Sequence, residues 1–276
     1  MAIEVLTKIW NNLPTSIRSG VSGSYLHSFL QRQVAYRETL AELQITPTDD
    51  FSFKIVVPER LSPYWLDYDP TVEHSCHEPI TTRTFINEIS TGDVVWDMGS
   101  QWGYFSVLAA KLNRSPSGVH VFDMEPYHCL QIERTSDVLF NGDGINIIET
   151  QISDTPGQGQ MTGDQYRSKT GSPDFVKVDI EGAEVAAVSG MRKTIENDAP
   201  TLIIEVHPNK IAQFFDENVE EFLSYLQDEY DVLKICDDFR EIDSEWNDFK
   251  FDTVPSPGNK GMDGLVDQDS YQLLCQ

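Results

Sequence analysis

The sequence predicts an α/β fold: a mostly parallel sheet with helices on both faces. Two observations predict it. From Glu78 to Ile235, short apolar segments alternate strictly with segments of helical periodicity, and such alternation implies parallel strands joined by covering helices. The run Val94-Val95-Trp96-Asp97-Met98-Gly99-Ser100-Gln101-Trp102-Gly103-Tyr104-Phe105-Ser106 shows one junction in detail. An apolar strand ends in an acid, two glycines bracket a tight turn, and an apolar helix begins. Glycine there supplies positive φ and lets a backbone approach a ligand.

The elements follow in order. Ile3, Leu6, Ile9, Trp10 and Leu13 recur at helical spacing, Pro14 and Gly20 interrupt, and a second helical stretch runs from about Tyr25 to Leu43. This predicts an N-terminal helical arm over 1–50, ahead of a main domain over 51–276 with its core at 78–235. Residues 1–40 carry Lys8, Arg18, Arg32 and Arg37 against Glu4 and Glu38. The arm reads either as a cover for one edge of the main domain or as a docking segment for a membrane surface or partner subunit. Phe51–Val57 and Tyr64–Tyr68 read as extended, joined by a proline turn. Then come helix Pro79–Ile89, strand Val94–Met98, helix Phe105–Leu112, strand Val119–Met124, helix Tyr127–Phe140 and strand Ile145–Ile152. A Gly- and Gln-rich connection, Pro156–Gly163, precedes strand Phe175–Ile180, helix Val185–Glu196 and strand Thr201–Val206. Helix Val219–Asp228 and strand Tyr230–Ile235 follow. Tyr271–Cys275, reached through an acidic loop without a helix, enters antiparallel.

Composition bounds the function. With 39% hydrophobic and 11% aromatic residues, the 276-residue chain can bury a large core. The formal charge of −25, from 45 acids against 20 bases, excludes nucleic acid as a partner, because phosphate contact needs a basic face. The acids are scattered, which favours a halophilic surface over a face for basic partners; the melting temperature should then climb steeply with molar KCl, and a flat response would contradict this. Cys76, Cys129, Cys236 and Cys275 form no Cys-x-x-Cys pair, which suits free thiols in a reducing cytoplasm and no zinc site. With no stretch of 18 apolar residues and no signal-type segment, a cytoplasmic protein is expected. Oligomeric state stays open.

Ligands of open α/β sheets lie beyond the carboxyl ends of the strands. The predicted strands deliver there Asp97 with the Gly99–Gly103 turn, Asp123 with Glu125, Gln151 with Ser153 and Asp154, Asp179 with Glu181, and Glu205 with His207. Glu125 stands where an acid takes the ribose hydroxyls of an adenosine cofactor. The turn is Gly-x-x-x-Gly, not Gly-x-Gly-x-x-Gly, which suits a cofactor with no phosphate to cradle.

These segments, together with Val176-Lys177-Val178-Asp179-Ile180-Glu181-Gly182-Ala183-Glu184 and Ile204-Glu205-Val206-His207, resemble the FkbM-type methyltransferases, a family of class I S-adenosylmethionine-dependent enzymes. The likeness spans about Glu78 to Ile235, and Lys177–Glu184 is its most specific part. It implies a Rossmann-like, seven-stranded sheet with an antiparallel last strand, S-adenosyl-L-methionine as cofactor, and methyl transfer, usually to oxygen. Asp97, Gly99 and Gly103 would then line the methionine end, Glu125 the ribose, and Ile152 with Ser153 the adenine. Asp179 would sit beside the methionine portion and the reacting centre. Where the family commonly has Gly-Ala-Asn, this chain has Gly99-Ser100-Gln101; Ser100 is small enough and Gln101 keeps an amide, so binding is expected to survive. Trp102 is bulkier than usual and is expected to reshape the turn.

Periodicity puts Lys177, Asp179 and Glu181 on one face of a strand and Glu205 with His207 on one face of the next. A buried lysine without a partner costs on the order of several kcal/mol, so a Lys177–Glu205 pair is expected. Asp179, Glu181 and His207 are the catalytic candidates. His207 reads as a base near neutral pH or as the cap of the turn at Pro208; Glu181 reads as catalytic or as a cap of the following helix. Asp179, Glu205 and His207 could instead hold Mg²⁺, a reading not favoured because Glu205 already has an expected partner. His74, Cys76 and His77 lack a second ligand pair at zinc spacing; His27, His120 and His128 stand alone, and Glu78-Pro79 reads as a helix start. Tyr64, Trp65, Tyr68 and Trp246 are candidates to stack on an acceptor, and loops 51–77, 155–173 and 236–270 to shape its pocket. The expected acceptor is a sugar, glycan or other small hydroxylated molecule. A nicotinamide-dependent oxidoreductase is disfavoured by the missing Gly-x-Gly-x-x-Gly, and a non-catalytic binding subunit by the presence of Asp97, Glu125 and Asp179.

Overall fold

The computed structural model describes residues 32, 37–59, 76–141, 144–214, 219–241, 243–249 and 269–276. Strands β1 (Leu40–Thr48) and β2 (Phe51–Pro58) form an antiparallel hairpin. There follow α1 (Pro79–Glu88), β3 (Val95–Met98), α2 (Tyr104–Leu112), β4 (Val119–Asp123), α3 (Pro126–Phe140) and β5 (Asn146–Glu149). Next come β6 (Gln151–Ile152), β7 (Gln160–Met161), α4 (Gly163–Thr170), β8 (Phe175–Val178), α5 (Glu184–Ser189) and α6 (Arg192–Asp198). The order closes with β9 (Thr201–Val206), α7 (Pro208–Phe214), α8 (Val219–Glu229), β10 (Leu233–Cys236), β11 (Asn247–Asp248) and β12 (Tyr271–Cys275).

The main sheet runs β11-β10-β12-β9-β8-β3-β4-β5. Strands β5, β4, β3, β8 and β9 are parallel, and β12 lies antiparallel between β9 and β10. The seven strands expected are thus present in that arrangement, and the two-residue β11 adds an edge. Every residue of β3 and β8 is buried, as parallel strands covered on both faces require. Alternate side chains feed two cores. Trp96, Met98, Val176 and Val178 pack with α5, α6 and α8 on one face. Val95, Val121 and Phe175 pack with α1, α2 and the β1–β2 hairpin on the other.

Four expectations change. The helix drawn to Leu43 gives way to β1 at Leu40, because Ile45 and Pro47 are buried while Glu42, Gln44 and Thr46 are exposed, the period of a strand. The strand drawn over Ile145–Ile152 splits: Thr150 donates its N–H to the Asp123 carbonyl (3.0 Å), and Gln151–Ile152 leaves the main sheet to pair with β7. The helix drawn over Val185–Glu196 breaks at Gly190–Met191. A Cβ at Gly190 would lie 2.0 Å from the Ser153 carbonyl oxygen, and the Gly190 carbonyl accepts from Asp164 N–H (2.9 Å). The chain is pressed onto its neighbours there and does not continue as one helix. The last strand before the acidic loop starts at Leu233, not Tyr230. Most of the expected arm, including Ile3–Leu13 and His27, lies outside the described residues, as do Tyr64, Trp65, Tyr68 and His74.

Candidate active site

A cleft of about 770 Å³ opens at the carboxyl ends of β3, β4, β8 and β9. It has two unlike halves.

The first half is built by the turn after β3 and the ends of β4 and β6. Gly99 has φ +79°, and a Cβ there would lie 1.8 Å from the Asp179 carbonyl oxygen. The turn therefore touches the end of β8, and only glycine permits it. Asp97 lies fully buried beneath the turn and accepts a hydrogen bond from Ser106 Oγ (2.5 Å). Its other oxygen and the buried Ser100 hydroxyl have no hydrogen-bond partner among the described residues. Asp123 accepts from the backbone N–H of Gln101 (3.0 Å) and of Glu125 (2.8 Å), which fixes the β4 loop against the glycine turn. Gly99, Glu125, Ile152 and Asp179 line the cavity with Met98, Phe122 and Ile180. Gly103 and Ser153 support it from behind; Gly103 opens α2, and Ser153 N–H bonds to the Met161 carbonyl (2.9 Å). Trp102 does not enter: its indole stacks edgewise on Tyr127 (5.4 Å) and His128 (5.0 Å), against α3.

The second half is a network of charges. Lys177 is buried at its floor and donates to Asp179 Oδ2 (2.9 Å). Burial works against the lysine charge, but Asp179, Asp97 and Glu78 outweigh it and hold the ammonium protonated. Glu205 accepts instead from Arg240 Nη2 (2.7 Å) and stands 3.3 Å from His207 Nε2. The expected Lys177–Glu205 pair is therefore replaced by Lys177–Asp179. Register explains this: Lys177 sits opposite Ile203, so Glu205 falls two residues further along, within reach of Arg240. Burial pushes the Glu205 carboxyl up, but His207 and Arg240 win and bring it down to about 2.

His207 is clamped. Its Nδ1 bonds to the buried Glu184 Oε1 (2.7 Å), and its Nε2 faces Glu205 and, at 3.5 Å, Glu181. Burial disfavours its charge, but Glu184 and Glu205 raise its pKa to about 10. With both ring nitrogens turned to carboxylates, the ring is favoured in its charged form, in which each nitrogen carries a hydrogen. Its backbone carbonyl does cap the following turn, accepting from Lys210 and Ile211 N–H (3.0 Å each). Glu181 does not cap α5. It lies on the lip, 65% exposed, paired with Lys210, while Glu184 accepts the Gly182 N–H (2.9 Å). One ligand atom each from Asp179, Glu205 and His207 lies within 4.8 Å of the others. Their charges are already matched by Lys177, Arg240 and the carboxylates around the ring, so this donor set does not suit Mg²⁺.

Sequence reasoning missed Glu78 and Lys210 on the wall, and it named His77, Arg240 and Ser270 only as parts of loops; all five line the cavity. Of the loops expected to shape the acceptor pocket, 51–77 contributes His77 and 236–270 contributes Arg240, Asp269 and Ser270; no described residue of 155–173 reaches it. Trp246 packs on α1 through a hydrogen bond to Thr84 Oγ1 (3.0 Å) and does not line the cleft.

Strand order and the antiparallel β12 give a Rossmann-like α/β sheet, with the glycine turn under the cleft. Residues 130–233 match the family model described as the Methyltransferase FkbM domain. Among solved structures, the methyltransferase FkbM of Methylobacillus flagellatus is similar at 15% identity (TM-score 0.43), over 67% of this chain and 44% of that one. This chain therefore spans less than half the length of that protein. An S-adenosylmethionine-dependent O-methyltransferase from Thermotoga maritima is similar at 13% identity (TM-score 0.43), over 83% and 76%. Aeropyrum pernix fibrillarin with natively bound S-adenosyl-L-methionine is similar at 11% (TM-score 0.40), over 68% of each chain. Comparison with curated proteins finds no match. Among the described residues, no helix is long and apolar enough to cross a membrane.

Proposed function

We propose that this protein transfers the methyl group of S-adenosyl-L-methionine to a hydroxyl of a sugar, glycan or other small hydroxylated molecule. The observation that carries the reading is the division of one cleft into two halves of different chemistry. The half at the glycine turn suits a cationic nucleoside. It offers the carboxylates of Asp123, Glu125 and Asp179 beside apolar Met98, Phe122, Ile152 and Ile180, and its imidazole, His128, is turned to Asp123 (3.2 Å). In this reading Asp97, Gly99, Ser100 and Gly103 shape the methionine end, Glu125 takes the ribose, Ile152 and Ser153 border the adenine, and Asp179 faces the reacting centre. Bound there, S-adenosylmethionine supplies an electrophilic methyl group on a sulfonium.

The other half is dense in hydrogen-bonding groups, with Glu205, His207, Arg240 and Ser270 on its wall. A polyhydroxylated acceptor matches such a surface better than an apolar one does. The chain's own task is to hold the hydroxyl in line with the methyl group and to exclude water. Lys177 and Arg240 hold the acids in place, and His207 positions Glu205 and Glu184.

Calorimetry tests the cofactor assignment. S-adenosylmethionine should bind, NAD(H) should not, and E125Q should weaken binding by roughly 10- to 100-fold, the worth of hydrogen bonds to a charged group. Transfer of isotopically labelled methyl into an extract of the source cells tests the acceptor class. Label in base-stable, carbohydrate-containing fractions supports the reading; label confined to protein nitrogen overturns it.

A further inference from the structure

One buried acid on the cavity wall has no task in the reading above. Glu78 precedes α1, at the edge of the cleft's acceptor half, and only 6% of its surface is exposed. We propose that Glu78 is the general base, taking the proton of the acceptor hydroxyl as the methyl group moves. This rests on the methyltransferase reading and adds a catalytic residue to it.

The first argument is elimination within the wall. Three buried acids line the cavity: Glu78, Asp123 and Glu205. Asp123 is committed to two backbone N–H groups, and Glu205 to Arg240 and His207. The half-buried Asp179 is held by Lys177. Glu78 is held by neutral groups: Oε2 accepts from Gln272 Nε2 (3.2 Å) and lies 3.0 Å from Thr81 Oγ1. Its Oε1 faces His77 Nε2 at 3.5 Å. Burial and the positive charges of Lys177 and Arg240 lower the His77 pKa to about 4, so that ring is neutral.

The second argument is that these contacts can hold a proton on Glu78. Thr81 Oγ1 carries one proton and stands between Glu78 Oε2 and Gln272 Oε1 (2.8 Å). With the carboxylate charged, the hydroxyl donates to Glu78. With the carboxyl protonated, the hydroxyl accepts from it and donates to Gln272. In the charged state Gln272 Oε1 gives up its donor, so these contacts favour the protonated carboxyl.

The third argument is strain. Glu78 has φ +41°, a left-handed conformation for a residue with a side chain. Such positions cost about 1–3 kcal/mol and cluster at functional sites. The helix α1 does not need it, since no side-chain capping bond is made there.

The charges around it tune the group. Burial raises the Glu78 pKa to about 7; Lys177 and Arg240 pull it down, while Glu205 and Asp179 push it up. Tyr104, its other ionisable neighbour, is kept neutral by burial. In the step itself, the acceptor oxygen forms the new O–C bond, and the C–S bond breaks with its pair returning to sulfur. The acceptor O–H bond breaks and its proton passes to the Glu78 carboxylate. Transfer should therefore rise with pH through about 7.

Infrared difference titration of the full-length protein tests this without an acceptor. Wild type minus E78Q should show one protonated-carboxyl band disappearing with a midpoint near pH 7. Q272L, which keeps Glu78 but removes a donor to its carboxylate, should move that midpoint up, and it reads the same group if E78Q does not fold. In the labelled-methyl assay, E78Q should lose about 100- to 1,000-fold in transfer and the rising pH limb, with S-adenosylmethionine affinity within about threefold. No titrating band near neutrality in either comparison, or E78Q transfer within threefold of wild type, overturns the proposal. Failure of S-adenosylmethionine to bind wild type would instead overturn the methyltransferase reading.

Discussion

The two halves of the cleft are held by different forces. Around Gly99 and Asp123 the shape is fixed by backbone: a turn pressed onto the Asp179 carbonyl, and N–H groups of Gln101 and Glu125 bonded to one carboxylate. Around Lys177 and His207 it is fixed by side-chain charge, with each buried ion answered by another. Backbone-built sites fail when a side chain is added. Charge-built sites fail when one is neutralised, and they respond to pH.

Substitutions can break this contrast. The largest effect is expected from G99A, whose Cβ meets backbone at a left-handed φ. It should cost about 5 kcal/mol, read by urea unfolding, and abolish S-adenosylmethionine binding. K177M leaves Asp179 and Asp97 without their cation and should cost about 3–5 kcal/mol. H207Q sharpens the charged half. The folded pKa of His207, about 10, lies above its ordinary 6.5. Its contribution is therefore complete below about pH 6.5 and is lost as pH rises through 10. The stability gap between wild type and H207Q should shrink over that window, by a few kcal/mol at most; a constant gap contradicts the clamped imidazolium. W102A should do least, about 1 kcal/mol or less, with cofactor affinity within threefold, because the indole packs outside the cavity.

The same contrast decides what the sequence could show. The backbone-built half was legible, since Asp97, the Gly99–Gly103 turn and Glu125 lie on one βαβ unit at spacings set by local geometry. The parallel sheet was legible for the same reason, because each βα step repeats a local rule. The charged half was not. Glu78, Arg240 and Gln272 come from segments far apart in the chain, and no spacing links them. Period-two reasoning chose the right face for Lys177 but not the register, so it chose the wrong acid. The break at Gly190 follows from a carbonyl delivered by Ser153, which helical periodicity does not contain.

The position of β12 has a consequence for biogenesis. It follows every other described strand in chain order, yet it lies inside the sheet, flanked by β9 and β10. Until it emerges, both neighbours expose unpaired edges prone to self-association, and Glu78 lacks Gln272. Nascent chains stalled before Tyr271 should therefore be protease-sensitive and dependent on chaperones, however much of the upstream half has already been translated.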